Sequence, residues 1–267
     1  MQRLFSLIGV IGILLWSCSK VPITGRKQLN LLPESMLVSL SFDEYNKIQK
    51  QYPPEVGTPR AKMVERVGWK MAKATEQFLK ENGLENRIKD FQWEFKLLKA
   101  DDVVNAFCLP GGKIAFFTGI MPIAKTEAGV AVIMGHEIAH AIARHGNERL
   151  SQALIAQMGG VALDVALKEK PEETRQLFLA AYGVGVQVGV LLPYSRKQEL
   201  EADRIGLILM AIAGYNPEEA IKFWERMAKM SGGASVPEFL STHPSHNRRI
   251  DQLKKLLPEA MKYYKQK

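Results

Sequence analysis

Residues 128–142, Ala128-Gly129-Val130-Ala131-Val132-Ile133-Met134-Gly135-His136-Glu137-Ile138-Ala139-His140-Ala141-Ile142, decide how this chain is read. Apolar and small residues cover every side of the stretch, the pattern of a helix buried inside a domain. Three ionisable residues interrupt it, and burying them without partners would be costly. His136 and His140 stand four apart, so on a helix they are one turn and about 40° from each other and present two imidazoles on one side. Glu137 lies beside that side, where it can take a proton from a water at a metal without filling a ligand position. A lone histidine in an apolar helix is ordinarily a hydrogen-bonded core residue. Here all 5 histidines fall at positions 136–145 and 243–246, and that clustering favours a metal. One zinc ion per chain is expected.

A hydrolytic zinc site takes three protein ligands and keeps one position open. His145, five residues past His140, would be rotated about 140° away on a continuing helix and reads as structural or as a group that supports a ligand without touching the metal. A better candidate lies in Ser195-Arg196-Lys197-Gln198-Glu199-Leu200-Glu201-Ala202-Asp203, which runs on as a helix through Ala213. Lys197, Glu201 and Arg204 share one face at ion-pairing spacing and read as solvated. Glu199 and Asp203 fall among Ala202, Gly206, Met210 and Ala213, and carboxylates on such a small-residue face need a positive partner. Glu199 is therefore the expected third ligand, and Asp203 the acceptor that orients a ligand histidine. Glu201 stays open as the alternative ligand.

Outward from these two helices the chain reads as α+β and mostly helical. Helices are expected over about 34–52 and 59–82, separated by Pro53-Pro54 and Gly57. Extended segments are expected at Phe91–Leu98, Val103–Phe107 and Ile114–Thr118, with a turn at Pro110-Gly111-Gly112. They form a small sheet beside a long helix from about Lys125 to Leu150. The apolar stretch Leu177–Pro193 is interrupted by Gln187 and rich in glycine, so it reads as a cover over a cleft rather than a membrane span. Near the end, Arg248, Arg249, Lys254, Lys255 and Lys262 interleave with Leu253, Leu256, Leu257 and Met261 as an amphipathic helix.

With 267 residues, 46% hydrophobic and 24% charged, the composition is that of a folded globular chain and excludes disorder as the default. The formal charge of +8 suits an anionic membrane surface at least as well as nucleic acid. Zinc-finger cysteines and a phosphate loop are missing, so no nucleic-acid partner is expected. The chain opens on Met1-Gln2-Arg3 followed by the apolar run Leu4–Trp16 and then Ser17-Cys18, the three parts of a secretory signal. Leu14-Leu15-Trp16-Ser17-Cys18 resembles a bacterial lipobox, with Trp16 as a bulky departure. Residues 1–17 are read as a lipoprotein signal peptide, Cys18 as the lipid acceptor, 18–32 as a tether and 33–267 as the catalytic domain. With Cys18 so used, Cys108 has no disulfide partner.

The sequence also resembles the HtpX, BepA, LoiP and CAAX-prenyl-protease group of gluzincin zinc metallopeptidases, peptidase family M forty-eight, and its lipoprotein branch in particular. Five segments carry the likeness: Val21-Pro22-Ile23-Thr24-Gly25-Arg26, Asn105 to Gly112, the histidine helix through Glu148-Arg149, Glu199-Leu200-Glu201-Ala202-Asp203, and Thr242-His243-Pro244 with Arg249-Ile250. The resemblance implies a zincin-like fold with Glu199 as the zinc-binding glutamate, in agreement with helix facing. It implies that Asn105, Ala106 and Phe107 belong to an edge strand that pairs with extended substrate. It implies a histidine at His243 that covers or adjusts the open metal position, and an arginine at Arg249 that stabilises the oxyanion. It implies an enzyme of envelope quality control, lipid-anchored on the periplasmic side of the outer membrane, acting on unfolded or misassembled proteins. The rival reading is a lipid-anchored chaperone or assembly factor with a latched or non-catalytic zinc site.

Overall fold

A computed structural model of the protein describes residues 18–166, 168, 172, 176, 196–230, 239, 243 and 249–265. The signal segment 1–17, the expected cover 177–193, and Thr242, Pro244, His246 and Arg248 lie outside the described residues.

The described chain begins with two short strands, β1 (Cys18–Lys20) and β2 (Lys27–Leu29), paired antiparallel. Two helices follow, α1 (Glu34–Gln51) and α2 (Pro59–Glu81), close to the ranges expected. Thr58 caps α2 by accepting from the Ala61 N–H, and Pro59 fills the first helical position, where its missing N–H costs nothing.

The small sheet has the order β3 (Glu94–Leu98), β5 (Lys113–Phe117), β4 (Ala106–Leu109), with β3 parallel and β4 antiparallel to β5. Side chains alternate between two faces, as strand geometry requires. Phe95, Leu97, Ala106, Ile114 and Phe116 enter the main core, whereas Leu98, Ala115 and Phe117 join Tyr45 of α1 in a smaller cluster on the other face. Two strands start later than the alternation predicts. Phe91 and Trp93 pack edge to face beside the Gly111–Gly112 turn, and Val103 closes a turn onto the Ala100 carbonyl.

After a single turn, α3 (Met121–Ala124), comes the central helix α4 (Glu127–Ala143), capped by Thr126. Val130, Ala131, Ile133, Met134, Ile138, Ala139 and Ile142 have no solvent exposure at all, which accounts for its all-round apolarity. The helix does not continue to Leu150 as expected. Arg144 adopts a left-handed conformation (φ 59°), held by an ion pair to Glu34, and α5 (His145–Ala166) leaves in a new direction. The chain is completed by α6 (Arg196–Ile212), α7 (Glu219–Met230) and α8 (Arg249–Met261). Among the described residues, no helix is long and apolar enough to cross a membrane.

Segment 18–32 is not the free tether expected. Val21 is buried in the core, Gln28 donates to the Ala143 carbonyl at the end of α4, and Arg26 reaches Glu148 and Glu201. The hairpin thus satisfies carbonyl and carboxylate groups that helix ends would otherwise leave open.

The contact that builds the site is the crossing of α4 and α6. At Gly135 and Gly206 the two backbones touch: a methyl group added at Gly206 would lie 2.8 Å from the Gly135 carbonyl carbon and 2.9 Å from the His136 nitrogen. No side chain fits between them. Gly206→Val is expected to cost about 1–3 kcal/mol in denaturant unfolding through overpacking, and to lose bound zinc because His136 sits at the point of contact. A variant with wild-type stability and zinc content would show that the crossing can relax.

Candidate metal centre

The crossing sets His136 and His140 of α4 against Glu199 and Asp203 of α6, and His243 joins them from the chain beyond α7. His136, His140, Glu199 and His243 are all buried, and one ligand atom from each lies within 4.8 Å of the others. The pairwise distances are tighter still. His136 Nε2 is 3.1 Å from His140 Nε2, 3.2 Å from His243 Nδ1 and 3.4 Å from Glu199 Oε2. Glu199 Oε1 is 3.4 Å from His140 Nε2 and 3.1 Å from His243 Nδ1. Ligands about 2.0–2.1 Å from a tetrahedral zinc stand about 3.3 Å apart, so this nitrogen and oxygen donor set fits that ion in both chemistry and spacing.

The charges around the cluster are strongly coupled. Burial works against the charged form of His136, yet the neighbouring Glu199 and Asp203 carboxylates outweigh it and raise its pKa to about 9. Burial alone would raise Glu199, but the charge of His136 and hydrogen bonds from the three histidines hold it far below the carboxylate range. Burial pushes His140 well below its ordinary value, so it is a neutral imidazole, the form that offers a lone pair to a metal.

Glu137 is buried beside these donors, with its Oε1 3.4 Å from His243 Nε2 and no hydrogen-bond partner on that oxygen. Burial raises its pKa, opposed in part by His243, His136 and a hydrogen bond from the Cys108 backbone. Asp203 Oδ1 stands 3.0 Å from His136 Nδ1, the ring nitrogen turned away from the cluster. Arg249 is 1% exposed, donates to Glu199 (3.0 Å) and Asp203 (2.7 Å), and lies 3.5 Å over the Trp224 ring. Each of its terminal nitrogens donates to a carboxylate and carries a second N–H, so donors remain for the oxyanion role that the resemblance implies.

Strand β4 forms one edge of its sheet, and among the described residues no strand pairs with its outer side. Ala106 enters the main core, Phe107 packs edge-on against Tyr45 and contacts Phe117, and the Asn105 carbonyl accepts from the Phe117 N–H. Backbone rather than side chain is therefore what this edge offers to a partner. Next to it a groove of about 350 Å³ reaches His140, lined among others by Leu37, Ser41, Cys108, Leu109 and Arg144.

The structure brings His136, His140, Glu199, Asp203, His243 and Arg249 together, as well as Glu137. It departs from the expected reading at Glu201, which is 6% exposed rather than solvated and is bonded to Thr24, Arg26 and His145. Burial acts to raise Glu201, but the bonds from His145, Arg26 and Thr24 prevail and lower it to about 2. Periodicity had no means of finding Trp224 and Phe239, whose rings flank His136, because neither carries a local motif.

The family model of peptidase family M48 matches residues 63–257. The yeast Saccharomyces cerevisiae protein called mitochondrial metalloendopeptidase OMA1 is 33% identical over 254 residues, 92% of this chain and 71% of its own length. The human metalloendopeptidase OMA1, mitochondrial, is 31% identical over 246 residues, 90% of this chain but only 46% of the human protein. The beta-barrel assembly-enhancing protease of Yersinia pestis is 28% identical over 158 residues, 56% of this chain and 32% of its own. These relatives correct the expected address. Those matched along most of this chain are mitochondrial by name, which overturns a location on the periplasmic side of a bacterial outer membrane. They also leave the lipoprotein branch without support, while the family itself stands.

Proposed function

The chain belongs to peptidase family M48 and is a zinc metalloendopeptidase, and from that premise we propose that it cuts unfolded or misassembled protein chains with Glu137 as general base. The observation that carries this reading is the tetrahedral-sized cluster of His136, His140, Glu199 and His243, with Glu137 buried beside it and the edge of β4 alongside.

His136, His140 and Glu199 would hold the zinc. When bound, the ion polarises the scissile carbonyl and makes water acidic enough to attack near neutral pH. Glu137 takes the proton from the attacking water on its Oε1 and later delivers it to the leaving amine nitrogen. Burial has already raised its proton affinity toward the value such a shuttle needs. Asp203 accepts from His136 Nδ1, keeping Nε2 directed at the ion, and Arg249 fixes both α6 carboxylates. The edge of β4 aligns extended substrate through backbone hydrogen bonds, which favours unfolded chains over a narrow sequence motif. Mass spectrometry of fragments from a chemically unfolded protein tests this: cuts should fall at many internal sites with little side-chain preference. A single recurring motif would argue for side-chain pockets instead.

His243 occupies the fourth corner, the one a hydrolytic site keeps for water or substrate. It acts as a latch that must leave before substrate enters. His243→Ala should raise the initial cleavage rate by roughly tenfold, equivalent to about 1.4 kcal/mol in the closed–open balance. A fall in rate would make His243 a participant in the chemistry.

A chaperone with a non-catalytic zinc is not favoured, since the matched relatives are named as peptidases. Lipid attachment at Cys18 rests on the Leu14–Cys18 pattern alone, and the mass of the Cys18 peptide from membrane-extracted protein tests it.

A further inference from the structure

Behind His140, on the side away from the metal donors, a chain of hydrogen bonds leads to the N-terminal hairpin. His140 Nδ1 lies 2.9 Å from His145 Nδ1, and His145 Nε2 lies 3.3 Å from Glu201 Oε2. Glu201 in turn accepts from Arg26 Nε (2.8 and 2.9 Å) and, at Oε1, from the Thr24 hydroxyl (2.9 Å). The two terminal nitrogens of Arg26 hold Glu148, whose second oxygen also accepts from Gln198 (2.7 Å). His145 has no exposure and Glu201 very little, so these groups are taken out of bulk water.

The donor and acceptor roles along this chain follow from its far end. An ionised carboxylate is acceptor only, and Arg26 and Thr24 both donate to it. His145 must therefore present its Nε2–H to Glu201, which as a neutral ring leaves Nδ1 as an acceptor. The contact between the two Nδ1 atoms can then be a hydrogen bond only if His140 carries its proton on Nδ1. That tautomer frees the Nε2 lone pair, the atom that stands with His136 Nε2 and Glu199 in the donor cluster. We propose that Thr24, Arg26, Glu201 and His145 form a relay that sets the tautomer and ring orientation of His140, so that the N-terminal hairpin is a working part of the metal site. These four are positioning residues. His145 does for His140 what Asp203 does for His136, and the turn at Arg144 is what brings it into reach.

The inference rests on His140 being a zinc ligand, and the test separates the two. Glu201→Gln keeps the shape but supplies one amide NH₂. Its oxygen stays with Thr24 and Arg26, which both donate, so the NH₂ faces His145 Nε2 and forces the His145 proton onto Nδ1, against His140 Nδ1–H. Zinc affinity of the full chain, measured by competition with a chelator, should fall about 10–100-fold in Glu201→Gln. Nitrogen-15 NMR of the zinc-loaded wild-type chain should show His140 protonated at Nδ1 and His145 at Nε2. A His145 proton on Nδ1 in the wild type overturns the relay whether or not the variant folds, as does an unchanged affinity in a folded variant. His140→Ala with wild-type zinc affinity would instead overturn the ligand assignment itself.

Discussion

Glu137→Gln is expected to slow cleavage of an unfolded protein by about 10²–10⁴-fold, the range associated with loss of a positioned general base, while bound zinc stays at one per chain. The amide has the same shape, so the packing around this buried side chain is kept, and its oxygen can still accept from the Cys108 backbone. What disappears is the lone pair on Oε1, the oxygen without a hydrogen-bond partner beside His243. None of the close donor–donor distances involves Glu137, so the metal should not be affected. Two measurements on one preparation decide the matter: initial rate on the unfolded substrate, and zinc by elemental analysis. Wild-type cleavage by the variant would remove Glu137 from the mechanism. Loss of zinc along with activity would make it part of the metal shell rather than the base.

The two site helices were legible because both rest on one-dimensional periodicity. Four-residue spacing placed His136 and His140 on one side of α4, and the same rule separated Glu199 and Asp203 from Lys197 and Arg204 on α6. The same small-residue face carries Gly206, which meets Gly135 backbone to backbone. The rule failed where the third dimension intervenes. Glu201 shares a helix face with Lys197 and Arg204, yet it is covered by Arg26 from 175 residues away, a pairing that no local pattern announces. Without a glycine in Ala141–Arg144, a straight helix was the natural reading. The left-handed turn falls on Arg144 instead, where the Glu34 ion pair and the seating of His145 offset a conformation that usually costs an L-residue about 1–2 kcal/mol. The hairpin was read as tether for a related reason. Pro22 and Gly25 mark turns, and nothing in composition distinguishes a turn in solvent from one packed on a domain.

Glu199→Ala should have the largest effect on the molecule as a whole. The carboxylate is 1% exposed and meets His136, His140, His243 and Arg249 at once. Removing it takes away one metal donor and leaves Arg249 with only one carboxylate in a site closed to water. Breaking a buried ionic group on one side costs about 3–5 kcal/mol, so the variant should lose zinc and unfold at distinctly lower denaturant concentration. Glu199→Gln separates the two effects, because the amide still accepts from Arg249. It should recover part of the stability but bind the metal poorly. At Glu201 the expectation is different, since that carboxylate acts through His145: Glu201→Ala should retain zinc with reduced affinity. Zinc kept by Glu199→Ala and lost by Glu201→Ala would exchange the roles of the two carboxylates, and with them the direction in which α6 presents its functional face.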